Sequence, residues 1–393
     1  MDWSSSDITR ATGLASTARR RAGLPILAVL ILGLPAAVAC PDTPKSHVVN
    51  VKTDLAALGI HSQNAIGDGK ADDTTSIQSA IDNAAANGGG TIIVPGGIYC
   101  VKAITIKDGV NFIGSGPKLT VFRATEETKY LITMKGGLIC DLTVYGTPTE
   151  ETSGDNWVVG TKGIGQGSSA LAVHVISVRD APNGAIISNV QAFEARYDCL
   201  YVRGSKGLRV RDCVFDRAGR NVVSMVGSDE DFVFSNCTIG SFWGLYHFDI
   251  EPGDGRYVRD GLFVNCTFDG GKAGAMGTDT WGSFLCLSGH SLLKSRDITI
   301  ADCRFEKTYI RVRGVFPRVS FLGNKFDHKP AFVRIPKNKV GELRDVVVRG
   351  NSFAQDATKP SDIIWGVAFT GKCEFAGNSP PIADEWFEVE GTR

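Results

Sequence analysis

Residues 208–239 read LRVRDCVFDRAGRNVVSMVGSDEDFVFSNCTI, and the stretch says one thing twice. Val210-x-Asp212-Cys213-x-Phe215 returns as Phe234-x-Asn236-Cys237-x-Ile239. The phrase recurs along the chain, centred on Asp141, Asn189, Asp212, Asn236, Asn265, Asp302, Gly323, Gly350 and Gly377. Two residues before each centre stands an apolar residue, from Ile139 and Ile187 to Val348 and Phe375. One residue after it come Leu142, Val190, Cys213, Cys237, Cys266, Cys303, Asn324, Asn351 and Asn378. Three residues after it, Phe215, Phe268, Phe305, Phe326 and Phe353 dominate. The steps between centres are 48, 23, 24, 29, 37, 21, 27 and 27 residues. A fixed phrase with elastic spacing describes one structural rung repeated, with insertions looping out between rungs.

Alternation of apolar and polar residues makes each rung a short strand with one buried face. Stacking such rungs in parallel at about 4.8 Å places like side chains over like. Asn, Asp or Gly at the centre suits a tight corner in the left-handed backbone region. No rung offers the three-and-four apolar spacing of a helix. The fold class is therefore all-β, a single-stranded parallel β-helix.

The head of the chain differs. Arg19, Arg20 and Arg21 precede an apolar run from Leu24 to Leu34, then Ala37-Val38-Ala39 and Cys40. This is the pattern of a secretory signal peptide over 1–39, too short for a membrane span. Cys40 also fits a lipoprotein cleavage, which would leave a lipid anchor there. Residues 40–393 form one domain, secreted or held at the cell surface. The chain carries 42 basic and 42 acidic residues, so nothing points to nucleic acid as a partner. Four of the ten cysteines occupy one inward position of the repeat, where a free thiol acts as a small buried hydrophobe. No Cys-x-x-Cys or His-rich pair has metal-ligand spacing, so no metal site is expected.

Residues 64–100 read NAIGDGKADDTTSIQSAIDNAAANGGGTIIVPGGIYC. Asp72 or Asp73 can start a helix whose apolar stripe is Ile77, Ala80, Ile81 and Ala84, and Gly88-Gly89-Gly90 ends it. The run GDGKADDTTSIQSAID…GGGTIIVPGGIY resembles the N-terminal signature of the pectate-lyase-superfamily right-handed β-helix, shared by polygalacturonase-like hydrolases, uronan epimerases, polysaccharide lyases and phage tailspikes. The resemblance implies a short capping helix before the first coil and a protein that handles long polysaccharides. Asp68, Asp72 and Asp73 are read as turn and cap residues rather than catalytic ones.

The sharpest cluster of chemistry-bearing residues is Trp243-Gly-Leu-Tyr246-His247-Phe248-Asp249-Ile250-Glu251-Pro252. Strict alternation turns Tyr246, Phe248 and Ile250 inward and His247, Asp249 and Glu251 outward. Two carboxylates at i and i+2 on a strand lie about 6.8 Å apart at Cα, within reach of glycoside-hydrolase geometry. Neighbouring segments add Tyr201 and Arg203 in CLYVRG, Arg311 and Arg313 in YIRVRG, and Arg334 in FVRIP. Guanidinium forks beside an acidic pair suit an anionic sugar. Trp243, Tyr246 and Trp281 offer faces on which a sugar could stack.

Three functions follow. The first is a glycoside hydrolase on an acidic polysaccharide, with Asp249 and Glu251 as acid and base and His247 beside them. The second is a lyase or C5-epimerase of uronate polymers. Arg311 or Arg313 would then neutralise the carboxylate, His247 or Tyr201 would take the C5 proton, and acidic residues could hold calcium. The third is a glycan-binding surface protein without catalysis. No cofactor is otherwise expected. The polygalacturonase pattern of paired Asp followed by His-Gly and Arg-Ile-Lys is absent, and HFDIEP differs in order from the epimerase Asp-Pro-His-Glu run.

Overall fold

The computed structural model describes residues 47–147, 171–240, 246–269, 283–289, 294–306, 308–327, 333–334, 341–354, 363–365 and 367–381. The expected signal peptide and Cys40 lie outside them, as do Trp243 and Trp281. Among the described residues the chain winds as a parallel β-helix. Successive coils add strands on either side of each corner to a long first sheet and a further strand to a second sheet across the core, and all the pairings among the described residues are parallel.

The corner residues explain the winding. All nine centres of the repeat adopt positive φ, between 52° at Asn189 and 67° at Gly350. That conformation is costly for most side chains and tolerable for Gly, Asn and Asp. The residue two before each centre stacks on its counterpart: Ile139 on Ile187, then Val210, Phe234, Phe263, Ile300, Phe321, Val348 and Phe375. Phe268, Phe305, Phe326 and Phe353 form a second stack, with ring centroids 5.3, 4.3 and 5.4 Å apart. Each such buried ring contributes about 1.5–3 kcal/mol through loss of apolar surface to water.

The position after the corner changes character along the molecule. Cys213, Cys237 and Cys266 are buried free thiols whose Sγ atoms lie 3.5–3.7 Å from the Ile187, Val210 and Phe234 carbonyls of the neighbouring coil and 3.0–3.5 Å from the Arg211, Ser235 and Val264 carbonyls of their own coil. In later coils Asn324, Asn351 and Asn378 do this work with true hydrogen bonds. Each Oδ1 accepts the backbone N–H of the equivalent residue one coil back, and each Nδ2 donates to a carbonyl at 2.8–2.9 Å.

The helix expected near the N-terminus spans Thr74–Ala86 and buries Ile77, Ala80, Ile81 and Ala84. Asp73 precedes it, but its carboxylate accepts the Ile66 and Gly67 N–H groups rather than one from the helix. Asp72 Oδ1 accepts the Thr74 N–H, and Asp68 Oδ1 those of Lys70 and Ala71. Further on, Asp229-Glu230-Asp231 reads as an exposed turn, yet it opens the strand Asp229–Ser235. There Asp229 is fully buried, accepting the Ser205 and Gly227 N–H groups.

Candidate functional site

The strand Tyr246–Ile250 belongs to the second sheet, and all five of its residues are buried. Strict alternation fails here, for a reason visible in the preceding coils. Leu131-Ile132, Val175-Ile176, Cys199-Leu200 and Val222-Val223 are pairs of consecutive core residues. The registers place His247-Phe248 next in that series. His247 is therefore turned inward: it is 0 % exposed and its Nε2–H donates to the Asp269 carbonyl at 2.9 Å. Tyr246 faces outward instead. The expected orientations of these two residues are reversed, while Asp249 and Glu251 keep theirs.

Two adjacent inward residues give each coil outward positions at i, i+3 and i+5. The resulting triplets are Tyr130/Thr133/Lys135, His174/Ser177/Arg179, Asp198/Tyr201/Arg203, Asn221/Ser224/Val226 and Tyr246/Asp249/Glu251. They stack into three columns running along the helix axis. His174, Ser177, Asp198, Asn221, Ser224 and Asp249 are buried although they lie on the outer side of the sheet.

These buried groups are joined. Asn221 Nδ2 donates to Asp249 Oδ2 and to Ser224 Oγ, both at 3.0 Å, and Asn221 Oδ1 accepts the Tyr246 N–H at 3.1 Å. Arg220 Nε donates to Asp198 Oδ1 at 2.9 Å, and Nη2 to Asp198 Oδ2. His174 Nδ1 lies 3.0 Å from the same carboxylate. Burial alone would raise the Asp198 carboxyl, but the bond from His174 and the Arg220 charge outweigh it and hold the group below the usual carboxylate range.

Aromatic rings and cations flank the network. The His174 ring stacks on Tyr130 at 5.4 Å and lies 4.4 Å from Tyr201. Burial and the neighbouring Tyr130 push the Tyr201 phenol up, which suits it to ring contact better than to proton abstraction. At the other end, the Arg311 and Arg313 guanidiniums lie 5.4 and 5.8 Å from the Tyr246 ring centroid. Arg313 Nη1 is 3.8 Å from Glu251 Oε1. Arg334 continues the column by backbone register with Arg311. The structure thus gathers Tyr246, Asp249, Glu251, Arg311 and Arg313, sets Tyr201 and Arg203 further along the same face, and removes His247 from it. Among the described residues no group of three His, Cys, Asp or Glu is placed to hold a metal ion.

Alternation overlooked His174, Asp198, Arg220 and Asn221. Their signal lies in the repeated spacing: His174-x-x-Ser177-x-Arg179 and Asp198-x-x-Tyr201-x-Arg203 prefigure Tyr246-x-x-Asp249-x-Glu251.

The family model described as rhamnogalacturonase A/epimerase, pectate lyase-like, matches residues 59–312, well over half of the chain. The chain belongs to this pectate-lyase-like family. Mannuronan C5-epimerase AlgE3 of Azotobacter vinelandii is 44 % identical over 70 residues, 16 % of this chain and 4 % of the epimerase. The chain thus spans only a small part of such curated relatives. Two solved structures share the fold at low identity. One is tailspike gp49 of the Acinetobacter baumannii bacteriophage Fri1, a capsular polysaccharide depolymerase (TM-score 0.56, 18 % identity, 78 % of this chain and 59 % of that one). The other is PfbA, a surface adhesin of Streptococcus pneumoniae (0.54, 14 %, 81 % and 90 %). This chain is a β-helix of the pectate-lyase-like family with a short stretch similar to mannuronan C5-epimerases, and no described helix is long and apolar enough to cross a membrane.

Proposed function

We propose that the outer face of the second sheet acts outside the cell on an acidic polysaccharide, removing the proton next to the carboxylate of a uronate unit. The observation that carries this reading is the convergence of Tyr246, Asp249, Arg311 and Arg313 on one face. Abstraction breaks the C5–H bond and delocalises its electron pair into the carboxylate. Arg311 and Arg313 hold that carboxylate and offset the developing charge, the largest contribution such a site can make. The Tyr246 hydroxyl and the Asp249 carboxylate, fixed by Asn221, are the acid–base groups. Returning a proton on the opposite face inverts C5; expelling the C4 oxygen, with a proton supplied to it, gives an unsaturated end.

Hydrolysis by Asp249 and Glu251 is the rival, and one assay separates the two. The protein is incubated with polymannuronate, pectate and hyaluronan in deuterated water, with and without a chelator for the calcium expected of a lyase. Solvent deuterium at C5, or near-ultraviolet absorbance, is the expected result. Reducing ends with neither signal would establish hydrolysis and overturn the proposal. Retention of polymer without turnover would leave a binding protein.

A further inference from the structure

Among the described residues, two cations on this face lack the acid that their counterparts elsewhere possess. Arg179 and Arg203 are register partners on adjacent strands, so their stems lie about 4.8 Å apart. Like charges directly opposed in a sheet are unfavourable. Among the described residues neither lies within ion-pair distance of a carboxylate. The nearby Asp180 feels both charges, but its own partner is Lys135 at 3.0 Å.

Three further features surround the pair. The Arg179 guanidinium is stacked over the Tyr130 ring at 4.6 Å, which occupies its face and leaves its N–H edge available. Arg179 Nε has no hydrogen-bond partner among the described residues, although it is buried. Ser177, in the next column, is 0 % exposed, and its hydroxyl also has none. Buried donors left without acceptors are rare in folded proteins and call for an explanation. Unpaired guanidiniums, an unused hydroxyl and the rings of Tyr130 and Tyr201 are together what an anionic sugar requires.

We propose that Arg179, Arg203 and Ser177 bind the anionic group of a second sugar unit, with Tyr130 and Tyr201 against its ring. This rests on the reading that the face takes an acidic polysaccharide, and it adds a direction. Arg203 and Arg179 stand two and three rungs before Glu251, roughly 10–14 Å at the strand spacing. The polymer therefore lies along the helix axis, anchored on the N-terminal side of Tyr246, and short fragments miss the anchor.

The test titrates uronate oligomers, from the disaccharide upward, into the full chain by calorimetry at low salt. Wild-type affinity rises with oligomer length. In R179A/R203A that rise is lost, and the longest oligomers bind at least about tenfold more weakly, the scale of a lost charge-assisted fork. R179K/R203K keeps the charge without the fork and falls between. R209A, from the first sheet, binds like wild type. Retention of the length dependence by R179A/R203A, with its melting temperature intact, would overturn the proposal. A parallel series of sulfated oligomers decides whether carboxylate or sulfate fills the site. Turnover by Y246F is scored separately: its survival would refute the proton-abstraction reading while leaving the anchor in place.

Discussion

The two outer faces of this β-helix look alike in sequence and differ in physics. On the first sheet, outward charges meet opposite charges one coil away. Arg209 Nη2 lies 2.8 Å from Asp231, Arg318 Nη2 2.8 Å from Asp297, and Arg349 Nε 2.9 Å from Glu374, all substantially exposed. Pairs of that kind contribute about 0–1 kcal/mol each. On the second sheet the outward residues His174, Asp198, Asn221, Ser224 and Asp249 are buried and joined, while Arg179 and Arg203 are left over. A charge at an outward position is therefore no mark of a site. An outward polar group withdrawn from water is, because burial is costly unless partners or a ligand offset it.

The contrast can be broken experimentally. The largest effect is expected at the reactive end: Asp249→Asn or Tyr246→Phe should slow turnover about 10²- to 10⁴-fold, the usual contribution of a positioned acid or base. Initial rates on the preferred polymer, beside an unchanged melting temperature, would check it. Next is Asp198→Ala, which strips His174 and Arg220 of their shared carboxylate and should cost about 3–5 kcal/mol. Denaturant unfolding followed by circular dichroism would measure the loss.

The same residue predicts a pH dependence. Because the folded-state pKa of Asp198 is depressed, its stabilisation is fully present above the ordinary Asp value of about 3.9. It is lost as pH falls through the lower folded value. Melting temperatures taken from pH 6 down to pH 2 should fall more steeply for wild type than for Asp198→Asn. The smallest effect belongs to the first sheet, where Asp231→Asn, which keeps a residue suited to positive φ, should cost under about 1 kcal/mol, less still at high salt, and leave turnover untouched. A measurable activity loss there would erase the distinction between the faces.

Most of the fold was legible because the corners restrict residue type. Only Gly, Asn and Asp sit easily at positive φ, so Asp141 through Gly377 marked the same corner in nine coils of the first sheet. The second sheet has positive-φ residues at Asp180, Gly204 and Gly314, but none within Tyr246–Ile250. Its paired inward residues defeat a period of two, so at Tyr246–Ile250 alternation turns Tyr246 inward where the structure turns His247 inward beside Phe248. The stacked pairs Val175-Ile176, Cys199-Leu200 and Val222-Val223 settle the orientation, but only once coil registers are known across insertions of unequal length. Asp198 and Arg220 meet for the same reason: 22 residues separate them in sequence, and one coil in space.

The asparagine ladder makes the length of this molecule an adjustable quantity. Asn324, Asn351 and Asn378 are each separated by 27 residues, and each offers the coil before it the same amide. Excising 324–350 would bring Asn351 beneath Cys303, presenting the carbonyl that Asn324 presents now. Neither corner nor ladder would register the missing storey. Gain or loss of whole coils can thus lengthen or shorten the protein without redesigning its interior, leaving the number of storeys free to follow the span of whatever lies along its side.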